Sequence, residues 1–502
     1  MSSPFADDDA VAVRSETKTK GRRDPRRMLA RGLVLAVTLH AFEQIAVVAI
    51  LEDVVRDLDG RDFSGIIFGV YLLASILASV ISGGYIDRRG PAGAFLFGLA
   101  CFTTGLAGAT IAWNVELFIF ARAIQGAGGG LLLTVAYAAV NMAYDEDERP
   151  RILAALSMAW IVPGLLGPPI AAALASLPFL AWRWVFAVLL PCAPVVAIFA
   201  APALGFYAKS KESPTASRPA GTVPRVWLAL VLCAGAGLLQ YGSVQARPLV
   251  LVPALLFGGG MTLFALLRLM PPGTLWLRPV LPAAIALKLG SHFAFFGTDS
   301  FIPFALQEVR DASLFYASLA IAPSALTWAA ASVLVARLND NGRRYMAFVR
   351  GGFAALALGI ALALPVLRPE IPTALAFIAW AIAGFGVGLA YLSLNAIAMN
   401  QTENDTAVAR TVGTALDRAN DTAVARAGHT AVALNIADSL GFAFGSTATG
   451  AILFHGARAG FSTADQFSLA WTLNLGVAVL SMLAAGRLIQ RRAANPKTAK
   501  DQ

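Results

Sequence analysis

The sequence predicts an all-α polytopic membrane protein, and three observations support this fold class. Hydrophobic residues make up 57% of the 502-residue chain and charged residues only 14%, and the mean hydropathy is +0.67, whereas a soluble protein needs more charge on its surface. Apolar runs of about 20 residues, the length that crosses a bilayer as a helix, recur between short polar breaks. Basic residues cluster at the ends of these runs.

The chain opens with a polar segment, residues 1–31, that lacks the apolar core of a signal peptide. We expect this segment to be a disordered cytoplasmic tail. An N-terminal six-helix bundle is predicted for residues 32–206, with spans at 33–54, 65–86, 94–113, 117–142, 152–175 and 184–205. The polar stretch 207–225, which contains Ser, Pro and Lys, is predicted to be a cytoplasmic linker.

The rest of the chain is predicted to contain eight further spans. Two additional transmembrane helices, at 226–239 and 249–267, lie with their loop in residues 226–282. A C-terminal six-helix bundle is predicted for residues 283–490, with spans at 284–306, 314–338, 346–367, 373–399, 430–454 and 467–488. It includes a cytoplasmic insertion, 400–429, and a cytoplasmic tail follows at 491–502. The total is fourteen spans, and twelve is the alternative because the two additional spans have the weakest patterns.

The distribution of basic residues predicts the orientation of the spans. Arginines precede the first span and follow the last, and Arg88, Arg89 and Arg344 fall in connections on the same side, whereas the opposite connections carry fewer basic residues. Cytoplasmic loops carry an excess of Lys and Arg. Because an even number of spans places both ends on one side, both termini are predicted to be cytoplasmic, with the chain in the inner (cytoplasmic) membrane.

Composition and motifs argue against several other classes of protein. The net charge of +9 does not indicate a nucleic-acid partner, since the basic residues follow the positive-inside pattern. The three cysteines lie inside apolar runs and, with four histidines, show no metal-ligand spacing. The sequence contains no Walker-type Gly-Lys-Ser/Thr motif and no nucleophile elbow. We therefore predict neither an enzyme nor a cofactor or metal site.

The connection between the second and third spans, SGGYIDRRGPAG at 82–93, places an acid and two arginines between apolar segments. Asp87 can pair with a basic residue or a helix start of the other half, and such a pair would act as a latch that opens as the two halves rock. A loop that only follows the positive-inside rule is the alternative. A similar pattern with Asp340 and Arg343 follows the tenth span, and this recurrence favours latch residues.

Two ionisable residues fall in the middle of apolar spans. Glu43 lies in the first span, where a carboxylate costs about 2.5–3.5 kcal/mol, so we expect it to face a cavity or a partner; His40 lies one turn away on a similar face. Arg122 lies in the fourth span on a face shared with Gly126 and Gly129. A functional role competes with a packing hydrogen bond for Glu43 and with a structural ion pair for Arg122.

The ninth and thirteenth spans also contain charged residues. Asp299 shares a predicted helical face with His292 and Pro303, and it is a candidate second proton site, a cation contact or a hydrated residue near the end of the span. Asp438 lies near the cytoplasmic start of the thirteenth span, where we expect it to be hydrated. Lys288 is close enough to a span end to extend toward water, and no function is predicted for it.

The fifth span contains PGLLGPP at 163–169. Proline and glycine interrupt the helical hydrogen-bond ladder, so Gly164, Gly167 and Pro168 predict a pliable, closely packed hinge. A kink that serves packing alone is the alternative. The insertion before the thirteenth span carries NDTAVAR twice, at 404–410 and 420–426. A tandem duplication without function is favoured, and a helix on the membrane surface is the alternative.

Together these patterns resemble the fourteen-helix drug:proton antiporter family of the major facilitator superfamily. The stretches AFEQIAVVAILEDVVRDLDG and FGVYLLASILASVISGGYIDRRGP resemble its first two spans and their loop. Arg122-Ala-Ile-Gln125-Gly126 is similar to its span-four motif, and Gly167-Pro168 to the centre of its span-five antiporter motif, although Pro163 replaces a glycine. FIPFALQEV and AGHTAVALNIADSLGFAFGSTATGAIL resemble its ninth and penultimate spans.

The resemblance implies a major facilitator fold, two six-helix bundles plus two extra helices. It implies a proton-coupled exporter of hydrophobic or amphipathic small molecules, whose partners are the substrate, protons and the lipid bilayer, and we expect a monomer. In this family Glu43 would be the proton-coupling or substrate-sensing acid, Arg122 its electrostatic partner, and Asp87 and Arg88 latch residues. An importer or facilitator of a metabolite or lipid, and a membrane ligand sensor without transport, are the alternatives.

Overall fold

The structure is a computed structural model that describes residues 25–144, 148–210, 222–338, 344–411 and 416–488. These residues form sixteen α-helices and four short 3₁₀ helices, and no strand occurs among them. The N-terminal half contains α1 (Pro25–Asp57), α2 (Ser64–Thr110), α3 (Val115–Ala143), α4 (Arg149–Ala175), α5 (Trp184–Ala187) and α6 (Cys192–Ser210). The 3₁₀ helices are Arg61–Phe63, Ala181–Arg183, Leu364–Leu367 and Ala485–Leu488.

The second part of the chain contains two helices that follow the N-terminal half and then the C-terminal half. The two additional helices are α7 (Thr222–Ser243) and α8 (Pro248–Leu269). The C-terminal half contains α9 (Leu281–Asp299), α10 (Ile302–Arg310), α11 (Leu314–Leu319), α12 (Ala322–Leu338), α13 (Tyr345–Ala363), α14 (Leu375–Thr411), α15 (Leu416–Arg458) and α16 (Thr463–Ala484).

Thirteen helical segments of the described residues are long and apolar enough to cross a membrane, so the predicted all-α membrane fold class is confirmed. The two additional spans, whose absence would reduce the predicted count to twelve, are both among them, as Val226–Ser243 and Pro248–Leu269. The predicted span 284–306 is not among the thirteen. The chain there forms α9 and α10, and polar residues such as Lys288 lower its hydropathy. The count of fourteen stays a prediction.

Three predicted spans each consist of two consecutive helices, and a proline lies at each break. Pro191 precedes α6, Pro303 is in the first turn of α10, and Pro323 is in the first turn of α12. Proline has no N–H and its ring clashes with the preceding turn, so a first turn accepts it more readily than a helix interior. The helical face predicted for Asp299 and Pro303 is therefore wrong, because α9 ends at Asp299 and Pro303 belongs to α10.

Helices extend further into polar sequence than hydropathy predicts. α1 begins at Pro25, so the end of the predicted tail 1–31 is helical. α2 continues without a break through 82–93, which the sequence predicts to be a loop. The ends of α6 and α7 lie inside the predicted linker 207–225, and α14 and α15 extend into the insertion 400–429. Helical hydrogen bonds join residues four apart whatever their hydropathy, so a helix can continue beyond the apolar run that predicts it.

Within each half, long helices pack along their length. α1 packs against α4 and α6, and α2 against α3; in the C-terminal half α9 packs against α14, α15 and α16. The halves meet where α2 packs against α15 and where α4 packs against α11 and α12. α7 packs against α2, and His455 of α15 donates a hydrogen bond from Nε2 to the Ser243 carbonyl at 2.9 Å. The additional helices therefore lie beside one seam between the halves.

Helix starts at one end of the bundle are stabilised by side-chain caps. This end, which holds the C-terminus of α1 and the N-terminus of α2, is called the α1–α2 end. There Asn114 Oδ1 accepts from the Leu117 N–H at 2.9 Å, at the start of α3. Ser313 and Ser462 accept in the same way at the starts of α11 and α16. Such a cap satisfies one of the unpaired N–H groups of the first turn.

Candidate functional site

An ion pair between α1 and α3 forms the first candidate centre. Glu43 Oε1 accepts a hydrogen bond from Arg122 Nη1, and the side chains are 0% and 1% exposed. The same nitrogen donates to Gln125 Oε1 at 2.8 Å, and the guanidinium carbon lies 4.3 Å from the ring centroid of Tyr71 on α2. A buried charge needs such compensation, because the loss of its hydration is costly.

The polar groups of this centre have unused hydrogen-bonding capacity. Glu43 Oε2, Arg122 Nε and Gln125 Nε2 are buried and have no hydrogen-bond partner among the described residues. A buried polar group without a partner costs about 1–3 kcal/mol. The Glu43 oxygen can therefore accept a hydrogen bond or a proton, whereas the N–H groups of Arg122 and Gln125 can donate to a water molecule or a polar group of a substrate. The free carboxylate oxygen of Glu43 is the atom on which a proton would be added.

His40, which the sequence places on the same face as Glu43, has a different partner in the structure. Its Nδ1 lies 2.8 Å from the Tyr71 hydroxyl, and its ring meets the ring of Trp160 on α4 edge-on, with centroids 5.6 Å apart. Tyr71 therefore lies between the histidine and the ion pair. Tyr71 of α2 thus contacts His40 of α1 through its hydroxyl and Arg122 of α3 through its ring.

Two glycines of α3 allow this close packing. A Cβ atom at Gly126 would lie 2.1 Å from the Tyr71 carbonyl oxygen, and a Cβ at Gly129 would lie 2.6 Å from His40 Nδ1. Both distances are shorter than van der Waals contact, so any larger residue would push α2 and α1 away from α3. The face shared by Arg122, Gly126 and Gly129 thus contacts neighbouring chain closely, which is the usual role of small residues in membrane helices.

Asp299 lies at the end of α9, apart from His292. It is 8% exposed and accepts a hydrogen bond from Trp380 Nε1 of α14 at 2.5 Å. The Trp380 ring is stacked on Phe295, with centroids 5.2 Å apart. The residue is therefore buried, and of the three roles that the sequence left open the structure disfavours the hydrated one. No basic side chain pairs with it among the described residues.

The C-terminal half contains a charged cluster that the sequence analysis did not assign. Lys288 Nζ of α9 lies 2.9 Å from Asp438 Oδ2 of α15 and donates to Asn395 Oδ1 of α14 at 2.6 Å. It also lies 4.5 Å from the ring centroid of Tyr391. His292 Nε2 of α9 lies 3.4 Å from Asp438 Oδ1. These five residues are called the α9–α15 cluster.

This cluster corrects two expectations. Lys288 is 2% exposed, so it does not extend toward water. The side chain of Asp438 is 20% exposed and is held by the lysine instead of by solvent alone. The sequence signal was present, since Lys288 and His292 are four residues apart and share a helix face. Their acidic partner could not be identified because it lies on another helix.

Salt bridges also join the two halves at the α1–α2 end. Arg61, in the 3₁₀ helix before α2, donates to both carboxylate oxygens of Glu308 on α10, at 2.7 and 3.3 Å. Arg61 Nη2 lies 3.5 Å from Glu52 Oε1 of α1. Glu52 is fully buried and accepts a further hydrogen bond from Arg56. The sequence analysis missed this group because charges at span ends are common and their partners lie far along the chain.

The predicted latch residues are only partly described. Asp87 and Arg88 lie within α2, but their side chains are outside the described part of the structure, and Asp340 and Arg343 are outside the described residues altogether. Their latch role therefore stays a prediction.

The predicted hinge lies within α4, which is a continuous helix despite the prolines it contains. A Cβ at Gly164 would lie 2.6 Å from Ala325 Cβ of α12, in the other half, whereas a Cβ at Gly167 would lie 3.6 Å from its nearest neighbour, Ile45. Gly164 thus permits a close contact across the seam between the halves. Bending at Gly164, Gly167 or Pro168 stays a prediction.

Apolar helices in two packed halves, with charge pairs buried between them, define the class of this protein: a multi-pass membrane protein. Residues 33–416, more than half of the chain, match the Major Facilitator Superfamily. The chain belongs to this superfamily of transporters, which confirms the predicted superfamily and its fold. Membership of the fourteen-helix drug:proton antiporter family stays a prediction.

Comparison with known proteins finds relatives along most of the chain. It is 26% identical over 407 residues to a protein of Mycobacterium tuberculosis named "Probable multidrug-efflux transporter", which covers 78% of this chain and 84% of the relative. It is 25% identical over 398 residues to "Multidrug resistance protein 3" of Bacillus subtilis, covering 77% and 75%. Among solved structures, the POT family transporter PepTSo superposes with a TM-score of 0.65 at 13% identity, covering 93% and 99%. This last likeness shows the fold alone.

Proposed function

We propose that this protein exports hydrophobic or amphipathic small molecules across the bacterial cytoplasmic membrane by proton-coupled alternating access. The observation that carries the proposal is the buried Glu43–Arg122 pair, in which one carboxylate oxygen has no partner among the described residues. An intramembrane acid is costly and is usually functional. The relative of Mycobacterium tuberculosis named as a probable multidrug-efflux transporter supports export as the direction of transport.

The chemistry follows from the geometry of the ion pair. When Glu43 is ionised, it neutralises Arg122, and the pair has no net charge. A proton added at the free oxygen would remove the negative charge of Glu43. The positive guanidinium of Arg122 would then be compensated only by its hydrogen bond to Gln125 and its contact with the Tyr71 ring. The two protonation states therefore differ in the charge that they present to a substrate and to the neighbouring helices. A carrier that exchanges protons for cargo needs this difference between its two open states.

The orientation and the remaining roles are part of the same proposal. We place both termini in the cytoplasm, which puts the α1–α2 end on the outer side of the membrane. Asp299, a buried acid in the C-terminal half, is the next candidate for proton coupling if Glu43 is not the carrier. Asp87 and Arg88 are assigned to the cytoplasmic latch, and the carrier acts as a monomer.

The experiment compares gradient-driven transport by wild type and Glu43→Gln. The full chain is reconstituted into liposomes, and the transport of a lipophilic dye such as ethidium is recorded under an imposed proton gradient and again after an uncoupler. We expect wild type to transport only with the gradient, and Glu43→Gln to bind the dye while its gradient-driven flux is lost. Glu116→Gln is the matched control, because Glu116 is exposed at the start of α3, and its flux should equal that of wild type.

Other results would support other functions. Wild-type flux that the uncoupler does not change would contradict proton coupling and favour a facilitator. Dye binding without any flux would favour a ligand sensor. Normal flux in Glu43→Gln would remove Glu43 from the mechanism, and the same test would then be applied to Asp299→Asn.

A further inference from the structure

The α9–α15 cluster contains a contact that ordinary protonation states do not explain. His292 Nδ1 lies 3.1 Å from the backbone carbonyl oxygen of Lys288. A carbonyl oxygen only accepts hydrogen bonds, so this ring nitrogen must carry the hydrogen. A neutral imidazole has one N–H, and its other nitrogen is then an acceptor. In a neutral His292, Nε2 therefore presents a lone pair.

That lone pair faces another acceptor. His292 Nε2 lies 3.4 Å from Asp438 Oδ1, and this oxygen is buried without a hydrogen-bond partner among the described residues. Two acceptors at this distance repel each other unless a hydrogen lies between them. Lys288 contacts the other carboxylate oxygen and Asn395, and among the described residues no contact shows the lysine supplying that hydrogen to Asp438 Oδ1. The contact is complete only when a further proton is bound.

We propose that His292 and Asp438 form a second proton-binding site, in which the proton sits on His292 Nε2 and the imidazolium forms an ion pair with Asp438 Oδ1. Lys288 stabilises the carboxylate form of Asp438, so the proton belongs to the imidazole. With the proton, the three side chains carry a net charge of one positive unit, and without it they are neutral. When the proton is bound, the Asp438 carboxylate interacts with two cations, the His292 imidazolium and the Lys288 ammonium. Its ion pair with Lys288 is then weaker than in the neutral-histidine state.

The charged and titratable groups around this site come from both halves of the protein. Lys288 lies on α9 and Tyr391 on α14, and the uncharged phenol of Tyr137 on α3 brings the N-terminal half within range of the charges on Lys288 and Asp438. α16, which also packs against α9, places the uncharged Ser481 and Val477 beside Gly290. The site therefore lies where its charge acts on the opposite half, so proton binding there would bias the position of the two halves.

The existence of the site can be tested without transport. The full chain, labelled with nitrogen-15 in its histidines, is reconstituted in liposomes and the ring nitrogens are observed by solid-state NMR at mildly acidic pH. We expect His292, assigned by loss of its signal in His292→Gln, to carry hydrogen on both nitrogens. In Asp438→Asn the Nε2 hydrogen should be lost and the Nδ1 hydrogen kept. The signals of His40 and His455 should not change, which makes them internal controls.

A second variant keeps the test informative if Asp438→Asn does not fold. Asp438→Asn leaves Lys288 as a buried charge without its partner, which is destabilising. The double variant Lys288→Met/Asp438→Asn removes both charges and should also lack the Nε2 hydrogen. A His292 ring that stays neutral in wild type at every pH, or one that keeps both hydrogens in these variants, would overturn the proposal.

Only the role of this site in transport rests on the proposed function. The experiments can therefore contradict the proton site and the proposed function independently of each other. In the liposome dye assay, Asp438→Asn should lose gradient-driven flux while dye binding is retained. If Glu43→Gln transports normally while the NMR result is as expected, the proposed role of Glu43 fails and the second proton site stands. If Glu43→Gln loses flux but His292 stays neutral, the reverse conclusion holds.

Discussion

At the scale of single residues, this protein places opposite charges in pairs inside an apolar bundle. Glu43 pairs with Arg122, and Lys288 with Asp438. Each pair also uses the face of a tyrosine, Tyr71 in the first case and Tyr391 in the second. Desolvation of two ions can exceed their attraction, so a buried pair is weak evidence for stability. Under the proposed function, a change of protonation during transport explains these pairs better than a contribution to folding does.

A stability measurement tests whether the two charges of the first pair interact. We expect Glu43→Leu and Arg122→Leu to cost about 3–5 kcal/mol each, because a single substitution leaves the other charge buried and unpaired. The double variant should cost clearly less than the sum of the two, since it leaves no unpaired charge. Unfolding of the purified protein in detergent, followed by tryptophan fluorescence, gives the comparison. Strictly additive losses would mean that the two side chains do not interact.

At the scale of helices, small residues determine how closely elements approach. Gly126 and Gly129 bring α3 against α2 and α1, and Gly164 brings α4 against α12 of the other half. Lipid provides little hydrophobic drive between helices, so their association depends on such close packing. The contact at Gly164 differs from the other two because it crosses a seam that must move in an alternating-access carrier.

A methyl group at Gly164 should disturb that seam. Gly164→Ala improves intrinsic helix propensity by about 1 kcal/mol, but its Cβ would lie 2.6 Å from Ala325 Cβ. We therefore expect a lower unfolding temperature and reduced dye flux in liposomes. The compensating variant Gly164→Ala/Ala325→Gly moves the methyl group to the opposite helix and should restore both values.

Gly167 provides the matched control for this prediction. A Cβ there would lie 3.6 Å from Ile45, which is ordinary van der Waals contact, so Gly167→Ala should be close to neutral in both assays. If Gly164→Ala is also neutral, the seam at that position is looser than the structure indicates. If Gly167→Ala abolishes flux without loss of stability, the glycine is needed for bending and the hinge prediction is supported.

At the scale of the whole molecule, polar contacts hold the two halves together at the α1–α2 end. Arg61 bridges to Glu308 there, and Ser318 Oγ of α11 lies 3.5 Å from the Ala49 carbonyl of α1. With the termini in the cytoplasm, as we propose, this end faces outward. The contacts then favour a conformation that is closed on the outer side.

The bridge between Arg61 and Glu308 should bias the equilibrium between the open states. Exposed ion pairs contribute about 1 kcal/mol or less, and 1 kcal/mol changes an equilibrium about fivefold. We expect Glu308→Gln to increase the outward-open population by up to about fivefold. Spin labels on Leu177 and Phe461, exposed positions at this end on the two halves, would report it as a longer distance in pulsed electron paramagnetic resonance.

Two further variants complete this measurement. Arg61→Glu/Glu308→Arg exchanges the charges and should return the distance distribution toward that of wild type. Glu116→Gln removes an exposed acid at the same end without a role in the bridge, and it should leave the distribution unchanged. An equal distribution in wild type and Glu308→Gln would show that the bridge does not hold the halves together.

The agreement between sequence and structure is best for properties that are local in the chain. Even the weak patterns at 226–239 and 249–267 correspond to helices, because a span is defined by the length and hydropathy of one segment. Errors occurred where another local preference competed with hydropathy. Prolines divide three spans, and helices continue into polar flanks at Pro25 and Ser210.

The sequence by itself determined that this chain is a helical carrier. It also determined that Glu43, Arg122 and Asp299 are charged residues whose insertion into an apolar span costs free energy. It did so because the cost of placing a charge in an apolar segment depends on that segment alone. Only the tertiary structure decided which charges meet. Arg61 and Glu308 are 247 residues apart, and Lys288 and Asp438 lie on different helices. Such pairing depends on the rotation and packing of whole helices, which no single stretch of sequence specifies.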